Sequence, residues 1–169
     1  VRSRGLGDVY KRQGEYEYKS LAPTVEDIKA KATGVLITVP GWDSLTSDSL
    51  EEISEQGTIE NFAKGEIIVK EGSQLLGLYV IIEGEVELSL GDRQIIGHLA
   101  QGDIFGEKAS LLSGQLADVS VKAIQDVEVL RIDVKTLQHL LSDNPILASK
   151  LGEMMELRRK SLKNHLEKV

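Results

Sequence analysis

Cysteine is absent from the 169-residue sequence, so the chain has no disulfide bond and no thiolate ligand for a metal or a redox centre. No apolar run approaches the roughly 20 residues that a membrane-spanning helix needs, and we expect no contact with a membrane. The three histidines, His98, His139 and His165, never stand at the i, i+2 or i, i+4 spacing of a shared metal site. No serine lies in a nucleophile-elbow pattern. These absences argue against a metal-dependent oxygenase or a hydrolase, and we expect the protein not to be an enzyme.

Positive charge is in the minority, since the formal net charge is −7. Neutralising nucleic-acid phosphates needs clustered lysine and arginine, and we therefore expect no contact with nucleic acid. Basic residues prevail only from Pro145 onward, where six basic residues meet three acidic ones. Such a segment is typical of a solvated, mildly basic helix. A reducing compartment suits the lack of cysteine, and we expect a cytoplasmic location.

The beginning of the chain does not resemble the rest. The first methionine is Met154, and the opening "VRSRGLGDVYKRQ" resembles translated adapter sequence. We expect residues 1–13 to be a non-native sequencing or assembly scar.

Residues 14–46 contain a weak internal repeat. "IKAKATGVLITVPGWDSL" aligns with "VKAIQDVEVLRIDVKTLQ", which starts at Val121. The alignment places Leu36, Ile37 and Val39 in a strand that runs into a short helix. We therefore expect residues 14–46 to be the tail of an upstream copy of the domain formed by residues 47–169.

Residues 59–133 read as short strands divided by glycine turns. The candidate strands lie in "GEIIVKEGS", "LYVIIEGEVELSL", "RQIIGHLA", "VSVKAI" and "VEVLRID". Val86, Leu88 and Leu90 alternate with polar residues, as in a half-buried strand. Strands spaced this closely predict an antiparallel β jelly-roll barrel, so the fold class is mainly β with flanking α-helices.

Helices are predicted on both sides of these strands. "SDSLEEISEQ" precedes them, with Ser47 or Asp48 as its N-cap. "VKTLQHLLS" follows them, and a last helix then starts at Pro145, a residue suited to a first turn. The last helix carries an apolar stripe with a gap at Arg158: Leu147, Leu151, Met154, Leu162 and Leu166. Such a stripe packs on its own barrel or on a partner helix, and the second case would give a homodimer.

The order of motifs carries a family resemblance. "FAKGEIIVKEGSQLLGLYVIIEGEVEL", "GDIFGEKASLLSG" and "VKAIQDVEVLRID" together resemble the cyclic nucleotide-binding domain. That domain is shared by the bacterial catabolite activator protein, regulatory subunits of cAMP-dependent kinase and cyclic-nucleotide-regulated channels. The resemblance covers roughly Ser47 to Lys168, and the glycines at 65, 72, 84, 102 and 106 fall where the family places its turns. It implies a regulatory module among neighbouring domains of a longer polypeptide.

The resemblance also implies a site for cAMP or cGMP. In the family, Gly102 and Gly106 would frame the phosphate-binding cassette, at the N-terminus of a short helix where unsatisfied N–H groups favour an anion. Glu107 would accept a hydrogen bond from the ribose 2′-hydroxyl, and N–H groups near Gly106, Glu107 and Ala109 would meet the phosphate. Glu107 could equally be a carboxylate that interacts with the helix dipole.

The other end of the cassette departs from the family. Where the family has Pro-Arg before its small residues and valine, this chain reads "GQLADVSVKA". The arginine position falls on Ala117, or on Leu116 if the one-residue slip is placed elsewhere. Asp118 adds a carboxylate beside the expected anion, and Ser120 completes the candidate pocket.

Loss of the arginine predicts weak binding. A charge-assisted arginine–phosphate pair contributes on the order of 2–5 kcal/mol, which corresponds to roughly 30-fold to several-thousand-fold in affinity. Lys108 is expected to point to solvent. The sequence therefore predicts a regulatory module with weakened cAMP or cGMP binding. The alternative is a functional cAMP sensor of a bacterial signalling or transcription-regulator protein that uses Lys108 or a lid residue instead of arginine.

Overall fold

The computed structural model describes residues 24–91, 94–111 and 114–167. The expected scar at residues 1–13 and the first part of segment 14–46 lie outside the described residues. The helices are α1 (Val25–Leu36), α2 (Ser47–Gln56), α3 (Val134–Asp143) and α4 (Pro145–Glu167). The strands are β1 (Thr58–Phe62), β2 (Ile67–Val69), β3 (Gly77–Glu83), β4 (Glu85–Leu90), β5 (Gln94–Ala100), β6 (Ile104–Phe105), β7 (Ser120–Ala123) and β8 (Val127–Asp133). Two 3₁₀ turns span Trp42–Ser44 and Glu107–Ser110.

The strands form two four-stranded sheets in which every pair is antiparallel. One sheet has the order β1-β8-β3-β6 and the other the order β2-β7-β4-β5. Apolar side chains of both sheets belong to one hydrophobic core. Strand β3 is buried along nearly its whole length, because α1 and α3 also contact it. The predicted fold class is confirmed.

Helix α1 replaces a strand that the internal repeat predicted. Thr24 caps this helix: its Oγ1 accepts a hydrogen bond from the N–H of Asp27 at 3.0 Å, and the Asp27 carboxylate accepts one from the N–H of Thr24 at 3.0 Å. This reciprocal capping box favours a helix start at that point. The predicted strand through Leu36, Ile37 and Val39 is therefore wrong, since Leu36 ends α1 and the chain turns after it.

The segment that follows the cap packs into the core of the two sheets. Its buried apolar residues are Ala32, Leu36, Val39, Trp42 and Leu45. They line up with helical spacing in α1 and then continue through the Trp42–Ser44 turn, which contacts α4. The core thus extends beyond the boundary predicted at residue 47, while the assignment of residues 14–46 to an upstream copy stays a prediction.

The helices around the core are joined by a buried polar contact. The side-chain amide of Asn144 donates to Ser49 Oγ at 2.9 Å and to the Leu140 carbonyl at 2.8 Å, which links α2 to the junction of α3 and α4. Pro145 is the first residue of α4, as predicted. The predicted N-cap of α2, Ser47 or Asp48, is wrong by one or two residues, because Thr46 Oγ1 accepts the hydrogen bond from the N–H of Ser49.

Candidate functional site

The short turn that begins with Glu107 is entered through a glycine in the left-handed region. Gly106 has φ 80° and ψ 18°, a conformation that L-residues with a side chain rarely adopt. A Cβ at this position would lie 2.6 Å from the Gly77 carbonyl oxygen. The short helix predicted at this point is the 3₁₀ turn Glu107–Ser110. Strand β3 occupies the space that a side chain at Gly106 would need. Packing as well as backbone conformation therefore requires glycine at this position.

One backbone donor expected at the phosphate is already used. The N–H of Ala109 donates to the Gly106 carbonyl at 3.0 Å within the turn. Ala109 is fully buried, and Ser120 Oγ accepts the N–H of Glu71 at 2.9 Å. Neither residue belongs to the part of the cavity wall that the structure describes. These two predicted site residues therefore lie beside the candidate site.

A cavity of about 540 Å³ opens beside this turn. The β2-β7-β4-β5 sheet supplies an aliphatic floor that includes Val69, Leu88, Leu99 and Val121, and α4 covers the opposite side. Its volume lies within the roughly 300–1,000 Å³ of small-molecule sites. The predicted site residues that line it are Gly106, Glu107, Lys108, Ala117 and Asp118.

The two candidate positions for the missing arginine differ in exposure. Ala117 is 7% exposed and lines the cavity, whereas Leu116 is 54% exposed and does not belong to the described wall. Of the two positions, Ala117 is therefore the one in the described wall of the cavity. Its methyl group can offer neither charge nor a hydrogen bond.

Lys108 was predicted to point to solvent, but its side chain lines the cavity and pairs with Asp118. Its Nζ lies 3.1 Å from each carboxylate oxygen of Asp118, and it donates to the Leu116 carbonyl at 3.1 Å. This ion pair holds the Lys108 side chain against Asp118, and the two opposite charges balance each other. The Asp118 carboxylate, which the sequence places beside the expected anion, is thus paired with Lys108 in this structure.

Glu107 is paired with a residue from the last helix. Arg158 Nη1 lies 2.5 Å from Glu107 Oε1, and the side chain of Glu107 is only 11% exposed. A second contact joins Ser110 Oγ to Met155 Sδ at 3.9 Å. Helix α4 is thus fastened to the carboxylate that the family resemblance assigns to the ribose.

Sequence reasoning did not identify Arg158 as part of the site. A signal was present, because Arg158 is the gap in the apolar stripe of the last helix. Leu147 and Leu151 are buried before this gap, whereas Leu162 lines the cavity after it and Leu166 is 57% exposed. The stripe packs on its own domain in its first half, and the predicted partner helix and homodimer stay predictions.

The charged residues in the described wall form three pairs. They are Lys108–Asp118, Arg158–Glu107 and Arg159–Glu156. The third pair lies within α4 at 2.7 Å, and its hydrogen bonds lower the pKa of Glu156 and raise that of Arg159. Each cation in the wall therefore has a carboxylate partner in the wall.

Two other features are absent from the described residues. No group of three histidine, aspartate or glutamate residues there is placed to hold a metal ion. No helix there has the length and apolar character to cross a membrane.

The family follows from these features together with comparisons to known proteins. The family model for the cyclic nucleotide-binding domain matches residues 59–144, which is half of the chain and contains α3, strands β2 to β8 and all but the first residue of β1. The chain belongs to the cyclic nucleotide-binding domain family, a family of regulatory domains.

Sequence relatives are longer proteins. The cAMP-dependent protein kinase regulatory subunit of Hypocrea atroviridis is 34% identical over 103 residues, which cover 61% of this chain. The chain spans between 20% and 26% of the length of the kinase regulatory subunits that it matches.

Solved structures share the fold. The cAMP-bound PfPKA-R is 27% identical with a TM-score of 0.60, and the match covers 66% of this chain and 41% of that one. The regulatory subunit of a cAMP-independent protein kinase A from Trypanosoma brucei is 18% identical with a TM-score of 0.63, covering 74% of this chain and 47% of that one. The second likeness concerns the fold alone.

Proposed function

We propose that this chain is a regulatory sensor module, without catalytic activity, that binds cAMP and cGMP weakly and signals through α4. The observation that carries the proposal is Ala117, which faces the cavity where the family resemblance requires an arginine. Without a guanidinium, a cyclic phosphate would gain no bidentate ion pair, and affinity falls by roughly 30-fold or more.

The arrangement of Glu107 supports the same proposal. A nucleotide whose ribose uses this carboxylate must compete with Arg158, which already satisfies it at 2.5 Å. Breaking that contact has a cost, because it removes the charged partner of a mostly buried carboxylate. The same competition would couple occupancy of the cavity to α4, since Arg158 belongs to that helix.

A working cyclic-nucleotide sensor is the alternative, and one observation favours it. Arg158 and Arg159 line the cavity from α4, so a lid residue could contact a phosphate in place of the cassette arginine. In that case Arg158 would leave Glu107 for the ligand when a nucleotide enters.

Titration of the protein with fluorescently labelled cAMP and cGMP tests the proposal. We expect dissociation constants weaker than the low-micromolar range for the natural sequence, because the arginine–phosphate pair is missing. Ala117→Arg should tighten binding by roughly 10-fold or more, because it restores a cation at the cavity wall.

Leu116→Arg is the matched control, since it adds the same charge one residue away on an exposed position. It should leave the affinity within about 2-fold, a difference well below 1 kcal/mol. A low-micromolar or tighter dissociation constant for the natural sequence would favour the working sensor instead.

The partners of the module follow from the relatives. Since they carry this domain within longer polypeptides, we propose that neighbouring domains of a longer chain receive the signal from α4. Dimerisation through α4 and a cytoplasmic location are further parts of this proposal. Contacts with nucleic acid or a membrane are not part of it.

A further inference from the structure

The charges around the cavity suggest what kind of molecule it accepts. Three cations and three carboxylates in the described wall form three ion pairs, so the wall carries no excess of either sign. A site selected for an anion normally presents unpaired donors or a surplus of positive charge. We infer that the ligand of this cavity is an uncharged small molecule with a mainly apolar body. This inference rests on the proposed regulatory function.

An anion would meet a barrier at two of the three pairs, Arg158–Glu107 and Lys108–Asp118. To reach Arg158 it must detach the guanidinium from Glu107. To reach Lys108 it must displace Asp118, whose two carboxylate oxygens each accept a hydrogen bond from Lys108 Nζ at 3.1 Å. At both of these pairs the released carboxylate stays in the wall and repels the anion. An uncharged molecule leaves all three pairs intact.

The rest of the wall supplies apolar contact. Leu88, Leu99 and Val121 come from the sheet, Phe105 from β6, and Met155 and Leu162 from α4. Phe105 is held in place by stacking on Tyr79, with ring centroids 4.8 Å apart. Burying an apolar body between the sheet and α4 is favourable because it removes apolar surface from water. The ligand would therefore bind by filling the space beneath α4.

Two fluorescent probes with the same aromatic body test the charge preference. N-phenyl-1-naphthylamine is neutral, and 8-anilino-1-naphthalenesulfonate carries one sulfonate on that body. We expect saturable 1:1 binding of the neutral probe to the full chain, with a dissociation constant at least tenfold lower than that of the sulfonate.

Variants on α4 place the probe in the cavity. Met155→Trp fills the space beneath the helix and should abolish binding of the neutral probe. Leu157→Trp introduces the same side chain on the same helix at a position that is 68% exposed, and it should leave binding unchanged. If Met155→Trp fails to fold, as judged by thermal unfolding, Leu162→Trp replaces it.

Three results would overturn the inference. They are equal or tighter binding of the sulfonate, neutral-probe binding that survives the cavity-filling variants, and absence of saturable binding. This test is separate from the cAMP titration. Tight cAMP binding would contradict the proposed weak binding of nucleotides, whereas the ratio of the two probe affinities decides the charge preference.

Discussion

Gly106 illustrates how a single residue fixes the entrance of the site. Its positive φ and the 2.6 Å distance from a built Cβ to the Gly77 carbonyl oxygen are separate constraints. Gly65 has a similar φ of 95°, but a Cβ there would meet nothing within 4 Å. The two glycines therefore separate the cost of backbone conformation from the cost of a steric clash.

We expect Gly65→Ala to destabilise the protein by about 1–2 kcal/mol, the cost of a left-handed L-residue. Gly106→Ala should cost at least about 1 kcal/mol more, because β3 or the turn must move to relieve the clash. Urea unfolding of both variants measures the difference. Equal losses of stability would mean that the turn relaxes without strain, and Gly106 would then matter only for its φ.

The sequence identified part of the site at this scale. Gly106 and Glu107 could be predicted because their motif has a fixed order along the chain. The orientation of Lys108 and the participation of Arg158 could not, since they depend on Asp118 and Glu107, which approach from other segments. A contact between residues 51 positions apart, such as Arg158 with Glu107, leaves only an indirect trace in the sequence.

Helix α4 is the element whose position depends on the site. Its first half is anchored by buried leucines, and its later half is held to the turn by Arg158 and Met155. Local opening is expected to start in the half with fewer buried contacts. The strength of the Arg158–Glu107 contact then decides how often this half opens.

Arg158→Gln should make amide hydrogen exchange in α4 beyond Gly152 roughly 5- to 30-fold faster, equivalent to about 1–2 kcal/mol of local stability. The reason is that a mostly buried carboxylate loses its charged partner. Arg159→Gln breaks the neighbouring pair, whose side chains are 62% and 52% exposed, and should change exchange little. The same exchange rates in Arg158→Gln and the natural sequence would show that apolar contacts alone hold the helix.

At the scale of the whole molecule, the two sheets and the N-terminal segment share one core. Ala32, Leu36, Val39, Trp42 and Leu45 are all at most 9% exposed. Burial of each larger side chain contributes about 1.5–3 kcal/mol, so their sum is comparable to the about 5–15 kcal/mol total stability of a domain.

A chain that starts at residue 47 should therefore lose cooperative unfolding, or unfold at a temperature at least about 10 °C lower, since 1 kcal/mol shifts the midpoint by roughly 2–8 °C. Thermal unfolding followed by circular dichroism measures this. Deletion of residues 1–13 is the control and should leave the midpoint unchanged. If the chain that starts at residue 47 is as stable as the full chain, the predicted boundary at residue 47 is the correct one.

The sequence by itself determined strands β2 to β5, β7 and β8, the glycine turns, the start of α4 and the family. Those features depend on local periodicity and on the order of motifs along the chain, which a linear pattern records directly. It also showed that the family's arginine is replaced, although it left open whether the replaced position is Ala117 or Leu116.

Only the tertiary structure decided that Ala117 rather than Leu116 faces the cavity, that Lys108 and Arg158 pair with Asp118 and Glu107, and that residues 32–45 complete the core. Each of these depends on which surfaces meet after folding. Burial and charge pairing are properties of segments brought together in space, and residue order along the chain does not specify them.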